Sequence, residues 1–293
     1  MSDSDRPSIT QAMIDAYDEY THLTLDRRRF MERLRVLAGS AGAAAAIAPM
    51  LAASNAAAEI VAADDSRLTT ADLTYRGAPA DIKAYAAMPK DAAKLPAVIV
   101  IHENRGLNNH IRDVTRRMAL EGFLAMAPDM LSPSGGTPQD EDKARDMIGQ
   151  ITPDIYGTNL VAAVEFLKTH PNSTGNIGAV GFCWGGGQVN RLAALSPDLE
   201  AGVAYYGAQP PAEDVPKIHA ALMLHYAGLD DRINKGIDAY RKALEANGKD
   251  FQIFVYDGVN HAFNNDTSAA RYDKAAADLA WSRTVGFLKE KLG

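Results

Sequence analysis

The stretch Asn176-Ile177-Gly178-Ala179-Val180-Gly181-Phe182-Cys183-Trp184-Gly185-Gly186-Gly187-Gln188 constrains this chain more than any other. Its apolar run from Ile177 to Phe182 reads as a buried strand, and the glycine-rich segment after Cys183 reads as the start of a helix. Cys183 must then sit in a sharp turn between them. The frame Gly181-x-Cys183-x-Gly185 suits such a turn, because a glycine two residues before and two after lets strand and helix pass without a Cβ clash. A helix that starts there also points its N-terminus at the turn, which favours a thiolate and a developing oxyanion. Taken alone, the elbow admits a nucleophile, a packed cysteine or a phosphate-binding loop. The segment lacks the Gly-Lys-Ser/Thr ending and the Gly-x-Gly-x-x-Gly frame of nucleotide loops, which argues against the last.

Composition bounds what surrounds the elbow. A chain of 293 residues with 47% hydrophobic content can bury one large core and carry an appendage. A net charge of −7 argues against a general affinity for nucleic acid or anionic membrane. Cys183 is the only cysteine, so neither an intramolecular disulfide nor a cysteine-based zinc cluster can form. The seven histidines are scattered, and no His-x-x-x-His pair lies near carboxylates, so no metal or cofactor is expected.

Residues 1–65 read as a leader and 66–293 as the catalytic body. A helix is expected from Ser8 to Tyr20. Asp26-Arg27-Arg28-Arg29-Phe30-Met31-Glu32 then matches a twin-arginine pattern. Val36 to Ala58 carries no charge and ends in the small-residue site Asn55-Ala56-Ala57-Ala58, which suits signal peptidase. The expectation is export to the periplasm. The alternative is a cytoplasmic protein whose N-terminal arm is retained and packs on the body or on a second subunit, as in a homodimer. The length of the leader and the acids Asp15, Asp18, Glu19 and Glu32 around the arginines favour that alternative. The uncharged run is too alanine-rich for a stable membrane span.

In the body, Leu68–Tyr75 and Ile82–Met88 read as paired strands, and Pro96–His102 as a central strand covered on both faces. Helices are expected over Ile111–Glu121, Glu141–Ile148, Asp154–Lys168, Lys235–Ala246 and Ala269–Leu292. Further strands are expected at Phe123–Ala127, Leu199–Tyr206, Ala220–Tyr226 and Phe251–Tyr256. Alternation of strand and helix after residue 96 implies an α/β fold with an open, mostly parallel sheet flanked by helices. Reacting groups then belong at the carboxyl ends of the strands. Asp230 and His261 fall there, after Cys183, in the chain order nucleophile, acid, histidine. His261 can take the thiol proton, and Asp230 can fix the tautomer of the imidazole. Asp231 is the rival acid; the frame from Ala227 to Ile233 favours Asp230. His225 reads as core, and His102 as a strand-end neighbour of the site.

Gly-Phe-Cys-Trp-Gly-Gly-Gly at 181–187, His-Glu-Asn-Arg-Gly-Leu-Asn at 102–108, Ala-Gly-Leu-Asp at 227–230 and Gly-Val-Asn-His-Ala-Phe at 258–263 closely resemble the dienelactone hydrolase family. The resemblance runs from about residue 66 to the C-terminus and includes Arg271-Tyr272-Asp273-Lys274. It implies an eight-stranded α/β-hydrolase fold without a large cap, and a triad of Cys183, Asp230 and His261. It implies that Glu103 holds the cysteine proton in the resting enzyme, where the residue-level alternative is an ion pair with Arg105. The backbone N–H groups of Asn104 and Trp184 would form the oxyanion hole. Family members acting on dienelactone grip its carboxylate with arginines, one of them shortly after the catalytic histidine. Ala262-Phe263-Asn264-Asn265 offers none, so Arg105, Arg271 and Tyr272 are the candidates for substrate binding. The expected activity is cofactor-free, carboxymethylenebutenolidase-like hydrolysis of small esters or lactones through a thioester. The alternatives are a thiol redox protein that uses Cys183, and a non-catalytic assembly protein on a hydrolase fold.

Overall fold

The computed structural model describes residues 8–22, 24–52 and 59–293. Eight strands form one sheet: β1 (Leu68–Tyr75), β2 (Ile82–Pro89), β3 (Leu95–Ile101), β4 (Leu124–Pro128), β5 (Ser173–Phe182), β6 (Ala201–Tyr205), β7 (Ala221–Ala227) and β8 (Phe251–Tyr256). Their order is β1-β2-β4-β3-β5-β6-β7-β8. β1 with β2 and β2 with β4 run antiparallel, and every later pairing is parallel. This is the α/β-hydrolase arrangement.

The central strand shows why its sequence is apolar at every position. Ala97, Ile99 and Ile101 face one core, and Val98 and Val100 face another. The first core is closed by α5 (Glu141–Gln150), α6 (Pro153–Lys168), α7 (Trp184–Leu195) and α9 (Ile237–Ala246). The second is closed by α4 (Asn109–Leu120) and α10 (Lys274–Leu292). A strand covered on both faces leaves no polar side for the usual alternation. The carboxyl ends of β3, β5, β7 and β8 therefore open on one edge, and Glu103, Cys183, Asp230 and His261 follow them there.

Boundaries shift where side chains cap or pin the backbone. The last helix starts at Lys274 rather than Ala269 because residues 262–273 are held as turns. The Asp273 amide donates to the Phe263 carbonyl at 3.0 Å, and the Asp273 carboxylate caps the helix at Ala276 N. The helix expected at 235–246 is α9, which starts at Ile237, and a short helix that was not expected, α8 (Asp231–Asn234), precedes it with the Asp230 side chain as its cap. Asn108 caps α4 in the same way and moves its start forward.

The N-terminal residues form α1 (Gln11–Thr21), α2 (Arg27–Ala38) and α3 (Ala41–Leu51). They bury Met13, Tyr17, Phe30, Leu34, Ile47 and Leu51 in a small core of their own. The twin-arginine stretch opens α2: Asp26 caps the helix at Arg29 N, and Phe30 stacks on Tyr20 at 4.8 Å. α2 and α3 meet at 113°, and no single helix among the described residues is long and apolar enough to cross a membrane. The small-residue site at 55–58 lies outside the described residues. The chain already touches the body at Val61, whose amide donates to Asp113 at 2.8 Å and whose carbonyl accepts from Arg116 Nε at 2.7 Å.

Candidate active site

Cys183 has φ 56° and ψ −116°, a left-handed conformation that an L-residue adopts only when its surroundings impose it. The two glycines of the frame explain how the turn survives. A Cβ on Gly181 would lie 2.2 Å from the Gly185 carbonyl oxygen, and one on Gly185 would lie 2.3 Å from the Ile101 carbonyl oxygen. Strand, elbow and helix therefore approach to backbone contact, and the thiol is pushed out beyond the end of β5. Trp184 is the first residue of α7, so its amide has no partner within the helix.

Asp230 and His261 come together behind the thiol. His261 Nδ1 lies 2.5 Å from Asp230 Oδ2, and both residues are buried. The second Asp230 oxygen accepts from Ile233 N at 3.2 Å. Burial pushes the Asp230 carboxyl up, but His261 and Arg232 together hold it below its usual range. The carboxylate fixes the ring proton on Nδ1 and leaves Nε2 as the basic nitrogen. That Nε2 is buried and has no hydrogen-bond partner among the described residues. A ring nitrogen of His261 lies within 4.8 Å of Cys183 Sγ, with no hydrogen bond between them. Asp231 is exposed.

The imidazole in contact with sulfur is a different one. His22 Nε2 lies 3.3 Å from Cys183 Sγ, and its ring stands perpendicular to that of His261 with centroids 4.8 Å apart. His22 Nδ1 donates to the Asp18 carbonyl at 2.7 Å, with the Asp18 carboxylate 3.4 Å away. Arg232 Nη2 approaches His22 Nε2 at 2.9 Å. Burial pushes the His22 imidazole down, but Cys183 and Asp18 outweigh it and the ring is held above its ordinary value. Asp18 is likewise pushed up by burial, yet His261, His22 and Arg232 hold it well below the carboxylate range. Nothing in the sequence marks His22, Asp18 or Arg232 as site residues; the first two lie in a segment that reads as a leader.

The other expected residues divide. Glu103 lines a cleft with Cys183 and His261, and one of its oxygens accepts from Asn265 Nδ2 at 2.9 Å. It is not paired with Arg105, which lies 3.0 Å from Asp142 instead. Asn104 lines the same space, and its side chain donates to the Thr21 carbonyl at 2.7 Å. Arg271 reaches the cleft, bonds Ser268 through Nε at 3.0 Å and lies over the Tyr17 ring at 5.0 Å. Tyr272 does not line the cavity at the thiol. That cavity has a volume of about 380 Å³ and is walled by His22, Cys183, Trp184, Tyr206, Arg232 and His261. His102 is buried, bonded through Nδ1 to the Glu103 carbonyl at 2.6 Å, and stacked on Trp184. The sets His22–Cys183–His261 and Asp18–Asp230–His261 each bring possible metal-ligand atoms within 4.8 Å of one another.

The sequence profile of the Dienelactone hydrolase family matches residues 82–292. A "Putative carboxymethylenebutenolidase" of Escherichia coli O157:H7 is 31% identical, over 82% of this chain and 93% of its own length. "Protein usf" of Aquifex pyrophilus is 36% identical, over 72% of this chain and 94% of its own. The crystal structure of a "Putative Dienelactone Hydrolase" from Klebsiella pneumoniae superposes with a TM-score of 0.68 at 27% identity, over 76% of this chain and 98% of that one.

Proposed function

The chain belongs to the dienelactone hydrolase family, and from that premise we propose that it hydrolyses small esters or lactones through Cys183, His261 and Asp230. The observation that carries the reading is the strained elbow. Cys183 is held in a left-handed turn at the wall of a cavity, beside a buried histidine–aspartate pair.

The chemistry follows from these groups. The Cys183 proton passes to an imidazole nitrogen, and the sulfur attacks the substrate carbonyl carbon. The carbonyl electron pair moves onto oxygen, where the amides of Asn104 and Trp184 are the donors proposed for it. The oxyanion collapses, the carbon–oxygen bond to the leaving group breaks, and that oxygen takes the proton from the imidazolium. A thioester remains. Water then gives a proton to His261 Nε2 and attacks the thioester; the carbon–sulfur bond breaks and the sulfur is reprotonated. Glu103, with one oxygen engaged by Asn265, fixes a carboxylate at the wall of the cleft that Cys183 and His261 share. A cavity of about 380 Å³ suits a small acyl group rather than a long chain. Arg105 and Arg271 both line the cleft beside Glu103 and Tyr272 does not; Arg105 is paired with Asp142, whereas Arg271 bonds the neutral Ser268 hydroxyl, which favours Arg271 as the partner of a substrate anion.

A panel of short esters and five-membered lactones, neutral and carboxylated, tests the reading. The expected result is turnover of short substrates that Cys183→Ala abolishes while the circular dichroism spectrum stays unchanged. Full activity in Cys183→Ala would overturn it.

A further inference from the structure

The thiol has one imidazole within hydrogen-bond distance, and it comes from the N-terminal arm. We propose that His22 is a second catalytic histidine: it takes the proton from Cys183, and the arm is thereby a working part of the active site. The inference rests on the reading of Cys183 as nucleophile.

The hydrogen bonds fix what His22 can do. Its Nδ1 carries the proton, because it faces the Asp18 carbonyl at 2.7 Å and the Asp18 carboxylate at 3.4 Å. Its Nε2 is then the unprotonated nitrogen, and its one lone pair is shared between Sγ at 3.3 Å and Arg232 Nη2 at 2.9 Å, so Arg232 must swing away when the ring takes the thiol proton. This repeats the logic of His261 with Asp230: an acid behind the ring and a lone pair in front. The two rings diverge in reach. His22 contacts the sulfur; a ring nitrogen of His261 lies within 4.8 Å of it, and the Nε2 of that ring is buried and unbonded among the described residues. Glu103 bonds Asn265 and makes no hydrogen bond to the sulfur among the described residues.

A division of labour follows. His22 Nε2 takes the thiol proton as sulfur attacks, then delivers it to the departing alkoxide as the carbon–oxygen bond breaks. His261 takes a proton from water in the second half, and returns it to sulfur when the carbon–sulfur bond breaks. The groups facing His22 are Asp18 from α1, Cys183 from the elbow, Arg232 from α8 and His261 from the loop after β8. Two carry negative charge when ionised and Arg232 carries a fixed positive one, so the ring can hold its proton against the thiolate and still release it.

The arm is built to hold this position. Its apolar side chains pack mostly on one another. Apart from Ala270, which packs on that cluster, its contacts to the body are mainly polar: Gln11 to Asn260 at 2.5 Å, Thr21 to Asn104 at 2.7 Å, Arg27 to Asp142 at 3.1 Å, and the Arg145 guanidinium over Tyr20 at 4.5 Å. On this inference the arginine-rich stretch is the first turn of α2 in the mature enzyme, not part of a discarded signal.

The test compares His22→Gln, His261→Gln and Gln11→Ala in the full-length protein. Gln11→Ala loosens an arm contact without touching the sulfur's partner. Two readouts are used: kcat/KM for a short ester, and the rate at which iodoacetamide alkylates Cys183 at pH 7, which needs no substrate assumption. His22→Gln is expected to slow alkylation about tenfold and lower kcat/KM about 100-fold. Gln11→Ala is expected to change either by less than about threefold. Unchanged or faster alkylation in His22→Gln would make the residue a spectator or a plug and would overturn the proposal, as would a native protein whose intact mass shows that it begins after residue 22. Loss of ester turnover in Cys183→Ala together with normal alkylation in His22→Gln would sink this inference and leave the nucleophile standing.

Discussion

Cys183 is approached by two histidines, and only one of them has an acid held rigidly behind it by a buried contact. Asp230 is buried and caps α8 by accepting from Ile233 N, so its bond to His261 cannot be replaced by water without moving α8. An amide at this position would still bond the ring, but it would offer a donor as well as an acceptor and would stop favouring the Nδ1–H tautomer. Asp230→Asn is therefore expected to lower kcat by about 10²- to 10⁴-fold with little change in KM. Steady-state kinetics on a short ester measures this, and thermal unfolding within a few degrees of wild type shows that the loss is chemical. An unchanged kcat would mean that His22, not His261, works in both halves of the reaction. Asp231, one residue on, is exposed and should tolerate the same change with kcat within about twofold.

At the scale of elements, the elbow depends on α7 lying against β3 at backbone contact. A methyl group on Gly185 would sit 2.3 Å from the Ile101 carbonyl oxygen and 2.5 Å from that of His102, and neither is the free end of a side chain that could swing away. Gly185→Ala is expected to destabilise the protein by about 3 kcal/mol or more, measured as a shift in the urea midpoint, and to lower activity by moving the sulfur. Gly286 has nothing within 4 Å, so Gly286→Ala is the control and should be neutral or slightly stabilising. These contacts also show why the sheet was legible in the sequence. A strand covered on both faces must be apolar throughout, and a turn at backbone contact must carry glycine at fixed positions. The strands of the body and the order of Cys183, Asp230 and His261 could be read for that reason. The arm could not. His22 owes its place to the docking of α1 through Gln11, Thr21 and Tyr20, which are long-range contacts with no local pattern. Its uncharged, alanine-rich α3 matches an export signal and a packed helix equally well. The partners of Arg105 and Arg232 are hidden for the same reason, since Asp142 and His22 are remote from them in sequence.

Across the whole molecule, the buried ionisable groups set opposite limits to the pH range of stability. His225 lies inside β7, donates to or accepts from Thr284 Oγ1 at 3.1 Å and Tyr256 OH at 2.9 Å, and is fully buried. Burial, aided by Arg283, pushes its imidazole down to about 3. The unfolded chain takes up a proton near pH 6.5 that the folded chain refuses. The folded state therefore loses stability as pH falls below about 6.5, by at most about 1.4 kcal/mol per pH unit for this residue. Asp230 adds to the acid side: its carboxyl is held below the usual range, so its contribution is present above the unfolded value and is lost as pH falls through the folded one. His22 works the other way. Its imidazole is held above the ordinary value, so its contribution is present below the unfolded value and is lost as pH rises through the folded one. The two histidines can be separated because one sits in the sheet and the other in the arm. Urea midpoints between pH 7 and 5 should fall less steeply in His225→Gln than in wild type, from a lower starting stability. Limited proteolysis between pH 6 and 9 should cut the arm of wild type faster at the alkaline end, and that pH dependence should flatten in His22→Gln while the body stays intact. A midpoint slope unchanged by His225→Gln would place the acid limit elsewhere. Arm cleavage that is independent of pH in wild type would mean that its docking rests on the cores and ion pairs of α1 and α2, and not on the ring that meets the sulfur.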